Sequence, residues 1–277
     1  MSLTCGLLRA RSSDGGSPMN DIVKLSDYSV RLWYGHLENH DFLWFATSDL
    51  NATASTWPIL HNYALTYAIY QYSYAAYKGY RPQYDYDLDQ MQAYALPSYN
   101  PQAGRIRLTH NALDDVTLRT DTVVGSGGKA TSARFNTPKL GHRVCLTPAM
   151  ERTALSYKRQ PRFGFDVYLF TWDDFRPPSV FRLGKKGCPI RITWQVIEDA
   201  KARIPDKEFS PAHPVNPRDL MRSEQEAVMS YYPAIIPPHL LYIEARLRGE
   251  WAILLPEGQW VHIPYRVVRR WQPSLNS

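Results

Sequence analysis

Cysteine is scarce in this 277-residue chain: Cys5, Cys145 and Cys188 stand far apart. An odd, scattered set builds no disulfide framework, and without a CxxC pair there is no structural zinc signature. The expected compartment is a reducing cytoplasm. No apolar run of roughly 18 residues occurs, so no membrane-spanning helix and no membrane partner is expected. The apolar stretch at the N-terminus is too short for a secretory signal. Residues 1–26 are expected to be a flexible lead-in, in which Met19 is an alternative start.

Nucleotide and metal motifs are missing as well. The run Gly125 to Lys129 suggests a phosphate loop, but the positions that need Gly and Ser/Thr hold Val123 and Ala130. Around Gly184-Lys185 the same positions hold Ser179 and Lys186. There is no Gly-x-Ser-x-Gly elbow, and no cysteine has a histidine partner in sequence. His40-Asp41 resembles the dipeptide of metal-dependent phosphohydrolases, yet no further His or Asp follows it at helical spacing. Neither a cofactor nor a metal is expected.

What the chain does have is segregated charge. Residues 126–162 carry Lys129, Arg134, Lys139, Arg143, Arg152, Lys158, Arg159 and Arg162 against one acid, Glu151, a net charge of +7. The whole chain is +6, so the remainder is close to neutral. Phe135 and Tyr157 lie among these cations, with glycines and prolines between them. A positive ribbon with stackable rings suits a single-stranded polyanion. The competing reading is a disordered basic loop. A second group, Arg182, Lys185, Lys186 and Arg191, surrounds Gly184 and Gly187. Its glycines let backbone N–H groups approach a phosphate, although an ordinary strand-connecting turn has the same composition.

Tyrosine (19) and proline (21) are heavily used, which favours a sheet-rich, loop-rich fold over a helical bundle. Strands are predicted at 27–35, 42–47, 105–109, 163–171 and 190–197 from alternation and β-branched or aromatic content. Residues 114–124 and 143–146 read as the arms of a hairpin that carries the basic segment. A helix is predicted from Pro58 to Tyr77, with Leu60, Tyr63, Tyr67, Tyr70, Tyr74 and Tyr77 as a core-facing stripe. Small Ala64, Ala68, Ala75 and Ala76 would let it lie close to a sheet. Residues 78–104 read as an irregular surface excursion, 205–218 as a proline-rich surface run and 219–230 as a helix. Residues 240–247 and 250–255 read as a hairpin around Arg248-Gly249, followed by Trp260–Val268. Strands without βαβ periodicity argue for α+β.

Several stretches resemble one family. They are Leu60-His61-Asn62-Tyr63-Ala64-Leu65-Thr66-Tyr67-Ala68, preceded by Phe45-Ala46-Thr47, then Phe181 to Lys186, Asn216-Pro217-Arg218-Asp219-Leu220, Ile243 to Arg246 and Leu255 to Gly258. Spanning about 45–260, they resemble the type I-D CRISPR effector-complex subunit of the RAMP superfamily that caps the 5′ handle of the guide RNA (crRNA). The resemblance implies an RRM-like (ferredoxin-like) core at 27–110 and 163–277, with a C-terminal β-hairpin region and a basic β-hairpin thumb inserted at 111–162. It implies a non-catalytic, RNA-binding role in antiviral defence. The implied partners are the crRNA 5′ handle, a backbone RAMP subunit, the large nuclease-bearing subunit, and target DNA near the protospacer-flanking motif.

The candidate RNA-binding residues are therefore Lys129, Arg134, Phe135, Lys139, His142, Arg143, Arg152, Tyr157, Lys158, Arg159 and Arg162, together with Arg182, Gly184, Lys185, Lys186 and Arg191. No catalytic residue is expected in this reading. The alternative is a metal-independent endoribonuclease that processes precursor crRNA, with His142 and Tyr157 as acid and base and the neighbouring cations holding the phosphate.

Overall fold

The computed structural model describes residues 22–45, 47–50, 53–70, 83–111, 140–152, 157–159, 164–184, 187–236 and 239–272. In chain order, β1 (Val23–Lys24) and a 3₁₀ turn (Leu25–Tyr28) lead into β2 (Arg31–Asn39). Then come β3 (Ser48–Leu50), β4 (Thr53–Ser55), β5 (Ile59–Leu60), α1 (Asn62–Tyr70) and α2 (Tyr84–Gln90). β6 (Ala93–Ala95), β7 (Ser98–Tyr99), β8 (Arg105–Asn111), β9 (Leu140–Leu146), β10 (Met150–Arg152) and β11 (Tyr157–Arg159) follow. Next are β12 (Phe165–Thr171), β13 (Val180–Leu183), β14 (Cys188–Ile197) and β15 (Lys201–Arg203), then a 3₁₀ turn (Pro217–Asp219) and α3 (Glu224–Ala227). The chain closes with β16 (Val228–Ile236), β17 (His239–Leu247), β18 (Ala252–Leu254), β19 (Trp260–His262) and α4 (Tyr265–Val268). The class is α+β and mostly strand.

A five-stranded antiparallel sheet in the order β13-β14-β2-β12-β6 forms the centre. β2 and β6 both run antiparallel to β12, so they are parallel to each other with β12 between them and α1 in the connection. Alternation sorts the side chains. Leu37, Phe165, Val167, Leu169, Ile190 and Ile192 face Leu65 and Ile69 of α1. Leu32, Tyr94, Tyr168 and Phe170 face the other way, onto Ala202, Ile253 and Val261 of the sheet β1-β15-β18-β19. Each fully buried side chain of this size contributes roughly 1.5–3 kcal/mol, so the two-sided burial of β2 and β12 makes them the centre of the fold.

The helix starts at Asn62 and not at Pro58, because Ile59 and Leu60 pair with Tyr99 and Ser98 as β5. Tyr74, Tyr77, Ala75 and Ala76 lie outside the described residues. Ala64 is exposed, so it is not the residue that brings helix and sheet together. Ala68 does pack there, against buried Ala93 and Ala95 of the strand, and Thr66 Oγ accepts from Ala95 N at 3.0 Å.

Four other expectations are corrected. In place of a strand at 42–47, Leu43 makes a single bridge to Leu146. The 78–104 excursion contains α2, β6 and β7, and Tyr94 is buried at the sheet edge. The helix expected at 219–230 is confined to α3, because the β-branched and aromatic residues from Val228 onward extend as β16. Finally, β17 pairs back onto β16, while β18 pairs with β15 and β19. Gly249, at φ +71°, turns the chain away, and buried Glu250 accepts from Met221 N and Arg222 N. The predicted hairpin arm at 114–124 lies outside the described residues.

Candidate nucleic-acid interface

The basic segment is built in two pieces. β9, which carries His142 and Arg143, is an inner strand of the sheet β3-β4-β9-β8. Its backbone pairs antiparallel with β8 (Thr109 with His142, Leu108 with Arg143) and parallel with β4 (Thr53 with His142, Ala54 with Arg143). The β8–β9 ladder reaches Asn111 and Leu140, so the two strands form the stem of a hairpin. The second piece is a separate short hairpin, β10–β11, in which Glu151 pairs with Lys158 and Arg152 with Tyr157; Arg159 pairs with Met150. Lys129, Arg134, Phe135, Lys139 and Arg162 lie outside the described residues.

The second basic group turns between β13 and β14. Gly187 N donates to Gly184 O at 3.1 Å, and Arg182 Nη1 donates to Gly187 O at 2.8 Å. Gly184 sits at φ +80°, and a Cβ there would lie 2.7 Å from Trp44 O. The glycine is thus required by close packing on the chain at 43–44 as well as by the turn. Lys185 and Lys186 lie outside the described residues. Arg191 is exposed on β14, at the register position opposite Glu38.

The segment 39–44 joins the two groups. Leu43 exchanges both backbone hydrogen bonds with Leu146 at the end of β9, at 3.1 and 3.0 Å. Ala149 N donates to Asn39 O at 2.9 Å just before β10, and Asn39 Nδ2 donates to Thr147 O at 2.9 Å. On the other side, His40 N donates to Pro189 O at 2.9 Å, and Gly184 packs on Leu43 and Trp44. One end of the central sheet therefore carries the glycine turn with Arg182, the root of β10–β11 and the end of β9. Cys188 in the same place is buried, and burial pushes its thiol up to about 11, which disfavours the thiolate.

The neighbouring sheet face has the opposite character. His36 Nδ1 lies 3.0 Å from Asp166 Oδ1, and Tyr34 OH donates to the same oxygen at 2.7 Å. The hydrogen bond from His36 holds the Asp166 carboxyl below its usual range. The Asp166 carboxylate, 62% exposed, disfavours phosphate across that part of the sheet face. Among the described residues no group of His, Cys, Asp and Glu is arranged to hold a metal, His40-Asp41 included.

Three features were not read from the sequence. Arg105 and Arg107 are exposed on β8, two positions apart and so on one side of the hairpin stem. Phe42, 38% exposed, presents a ring from the 39–44 segment. A buried network also joins two of the motifs. Asn62 Nδ2 donates to Tyr94 OH and to Asp219 Oδ2, both at 3.0 Å, and Asn216 Nδ2 donates to Asn62 Oδ1 at 3.1 Å. Tyr94 OH donates to Asp219 Oδ1 at 2.5 Å. Burial raises the Asp219 carboxyl to about 6. The alternating spacing of Arg105 and Arg107 was the one available signal for the stem cations.

The family model for the type I-D CRISPR-associated protein Cas5/Csc1 matches residues 30–270. The chain belongs to that family. The match spans the central sheet, the hairpin stem and the buried Asn62–Asp219 network, and it bears out the resemblance to a type I-D CRISPR subunit carried by the separate motifs. As a Cas5/Csc1 family member of a type I-D CRISPR system, the chain has partners in a complex. No curated protein matches it. Among solved structures, a CRISPR protein from Archaeoglobus fulgidus is similar over 84% of this chain and 99% of that one, at 13% identity and a TM-score of 0.34. A likeness that distant adds no weight to the assignment. No helix among the described residues is long and apolar enough to cross a membrane.

Proposed function

We propose that this Cas5/Csc1 family member is a non-catalytic RNA-binding subunit that caps the crRNA 5′ handle in a type I-D surveillance complex. The observation that carries the reading is the meeting, at segment 39–44, of the glycine turn with the basic strands β9 to β11. The order β14-β2-β12-β6, with α1 linking the parallel pair β2 and β6, supports an RRM-like core. The β8–β9 stem supports a thumb whose cations reach from this core. Arg182 and the lysines of the turn then neutralise handle phosphates, and Phe42, Phe135 or Tyr157 stacks on an unpaired base. Target-DNA sequence is read by guide pairing, with this subunit held near the flanking motif beside the backbone and large subunits, in the cytoplasm.

The test is salt dependence. With four to six phosphates neutralised, handle RNA should bind with a log–log slope of roughly −3 to −4. Replacing Lys129, Arg134, Lys139 and Arg143 together by Ala should flatten the slope without unfolding the chain. A flat response in the native chain overturns the reading. Incubation with precursor repeat RNA in EDTA separates the endoribonuclease alternative, since product that disappears in His142→Ala would favour cleavage.

A further inference from the structure

Leu32 of β2 and Phe170 of β12 are opposite each other and lie under the sheet β1-β15-β18-β19. Four residues further along these strands, on the same side, His36 is opposite Asp166, whose carboxylate is exposed. On β14 the residues opposite Glu38, His36 and Tyr34 are Arg191, Thr193 and Gln195, all exposed. Opposite residues share a face, so these side chains surround the carboxylate.

The carboxylate is already fixed. Tyr34 OH and His36 Nδ1 both donate to Asp166 Oδ1, at 2.7 and 3.0 Å. A Cβ at Gly164 would lie 2.3 Å from His36 Nε2, so the ring packs directly on the backbone there. Asp166 Oδ2 has no partner among the described residues. An ionised carboxylate has about four acceptor sites. Those on Oδ1 are taken, so the free ones are together on Oδ2.

The surrounding charges select the ligand. Asp166 repels phosphate, and so does Glu38, whose Oε1 lies 4.0 Å from His36 Nε2. Arg191, in the neighbouring row, repels an incoming lysine or arginine. A neutral, planar group rich in N–H donors meets neither repulsion, and a nucleobase is such a group. The row of Glu38 and Arg191 is about 7 Å from that of His36 and Asp166, at ~3.3 Å per residue, so a phosphate held at Arg191 brings a base within reach. Guanine presents two adjacent donors, N1–H and N2–H, to one acceptor atom. Adenine and cytosine turn a ring-nitrogen lone pair towards the carboxylate beside their amino group, and uracil offers one donor.

We propose that Asp166, fixed by His36 and Tyr34, reads a guanine of the bound RNA strand through its N1–H and N2–H, with a phosphate of that strand at Arg191. This rests on the reading of the chain as an RNA-binding subunit. The experiment measures binding of the full chain to oligouridine strands that carry, at each position in turn, one guanine, inosine, adenine or cytosine. At one position guanine should bind at least tenfold more tightly than adenine, cytosine or uracil. Inosine, which lacks the N2 amino group, should fall between. Asp166→Asn keeps an acceptor for Tyr34 and His36 but turns N–H donors towards the base. It should reduce the guanine preference to within twofold and leave the log–log salt slope unchanged. Arg191→Ala should weaken every strand alike and keep the preference.

Equal binding of all bases by the wild type overturns the proposal, whether or not Asp166→Asn folds. A guanine preference that survives in Asp166→Asn overturns it too. If Asp166→Asn instead leaves RNA binding untouched and lowers incorporation into the co-expressed complex, the proposal is overturned in favour of a protein cation at the site. If the wild type binds no RNA in a salt-dependent way, the RNA-binding reading falls, and this proposal with it.

Discussion

Asn62 at the start of α1 donates to the buried carboxylate of Asp219 at 3.0 Å, across 157 residues of chain. The same amide donates to Tyr94 and accepts from Asn216, so one side chain fastens the helix to β6 and to the turn at 216–219. Asn62→Ala removes these hydrogen bonds and strands buried partners. The expected loss is about 2–4 kcal/mol, seen as a fall in Tm of roughly 5–12 °C. A change within a degree or two would show that the network does not hold the fold.

Acid should destabilise the chain through His213. Burial lowers this imidazole to about 3 from 6.5, with Nδ1 2.7 Å from Pro214 O and Nε2 accepting from His262 N. The unfolded chain binds a proton below about 6.5 and the folded chain does not, so this stability is complete above pH 6.5 and drains away towards pH 3. Asp219 works in the other direction. Its folded value, raised to about 6 from 3.8, gives stability that is complete below pH 3.8 and lost as pH rises through 6. Between pH 6.5 and 4 the two shifts act against each other, so urea titrations of the single variants separate them. His213→Gln should blunt the loss of stability towards acid and Asp219→Asn should steepen it.

Gly184 and Gly258 separate conformational strain from crowding. Both sit at positive φ, +80° and +83°. A Cβ at Gly258 meets nothing within 4 Å, while one at Gly184 lies 2.7 Å from a backbone oxygen of Trp44. Gly258→Ala should cost about 1 kcal/mol. Gly184→Ala should cost about 3 kcal/mol or more, because a carbonyl in a paired segment yields little. Equal melting temperatures would place the 43–44 segment away from the turn.

Arg105 and Arg107 extend the cationic surface from the turn to the hairpin stem. Replacing both with Ala should weaken handle-RNA binding and reduce the log–log salt slope by about 1.4, at 0.7 per single-strand phosphate. Thermal stability should be preserved, since both side chains are exposed. An unchanged slope would show that these two arginines meet no phosphate.

Alternation together with β-branched and aromatic content identified the strands at 163–171 and 190–197, because such residues fit a pleated, buried surface. It also exposed the segregation of positive charge and the family resemblance in Asn62-Tyr63 and Asn216-Pro217-Arg218-Asp219. Sequence did not reveal that Tyr94 would be buried at a sheet edge, or that Val228–Ile236 would leave the helical path for β16. Those outcomes depend on partners more than a hundred residues away or on a hairpin return, and local propensity carries no information about them. It likewise gave no sign that segment 39–44 would hold the glycine turn against the end of β9. Residue order determined which charges and strands the protein has, while tertiary pairing decided which of them meet, because a side chain's neighbours across a sheet are set by register and not by its place in the chain.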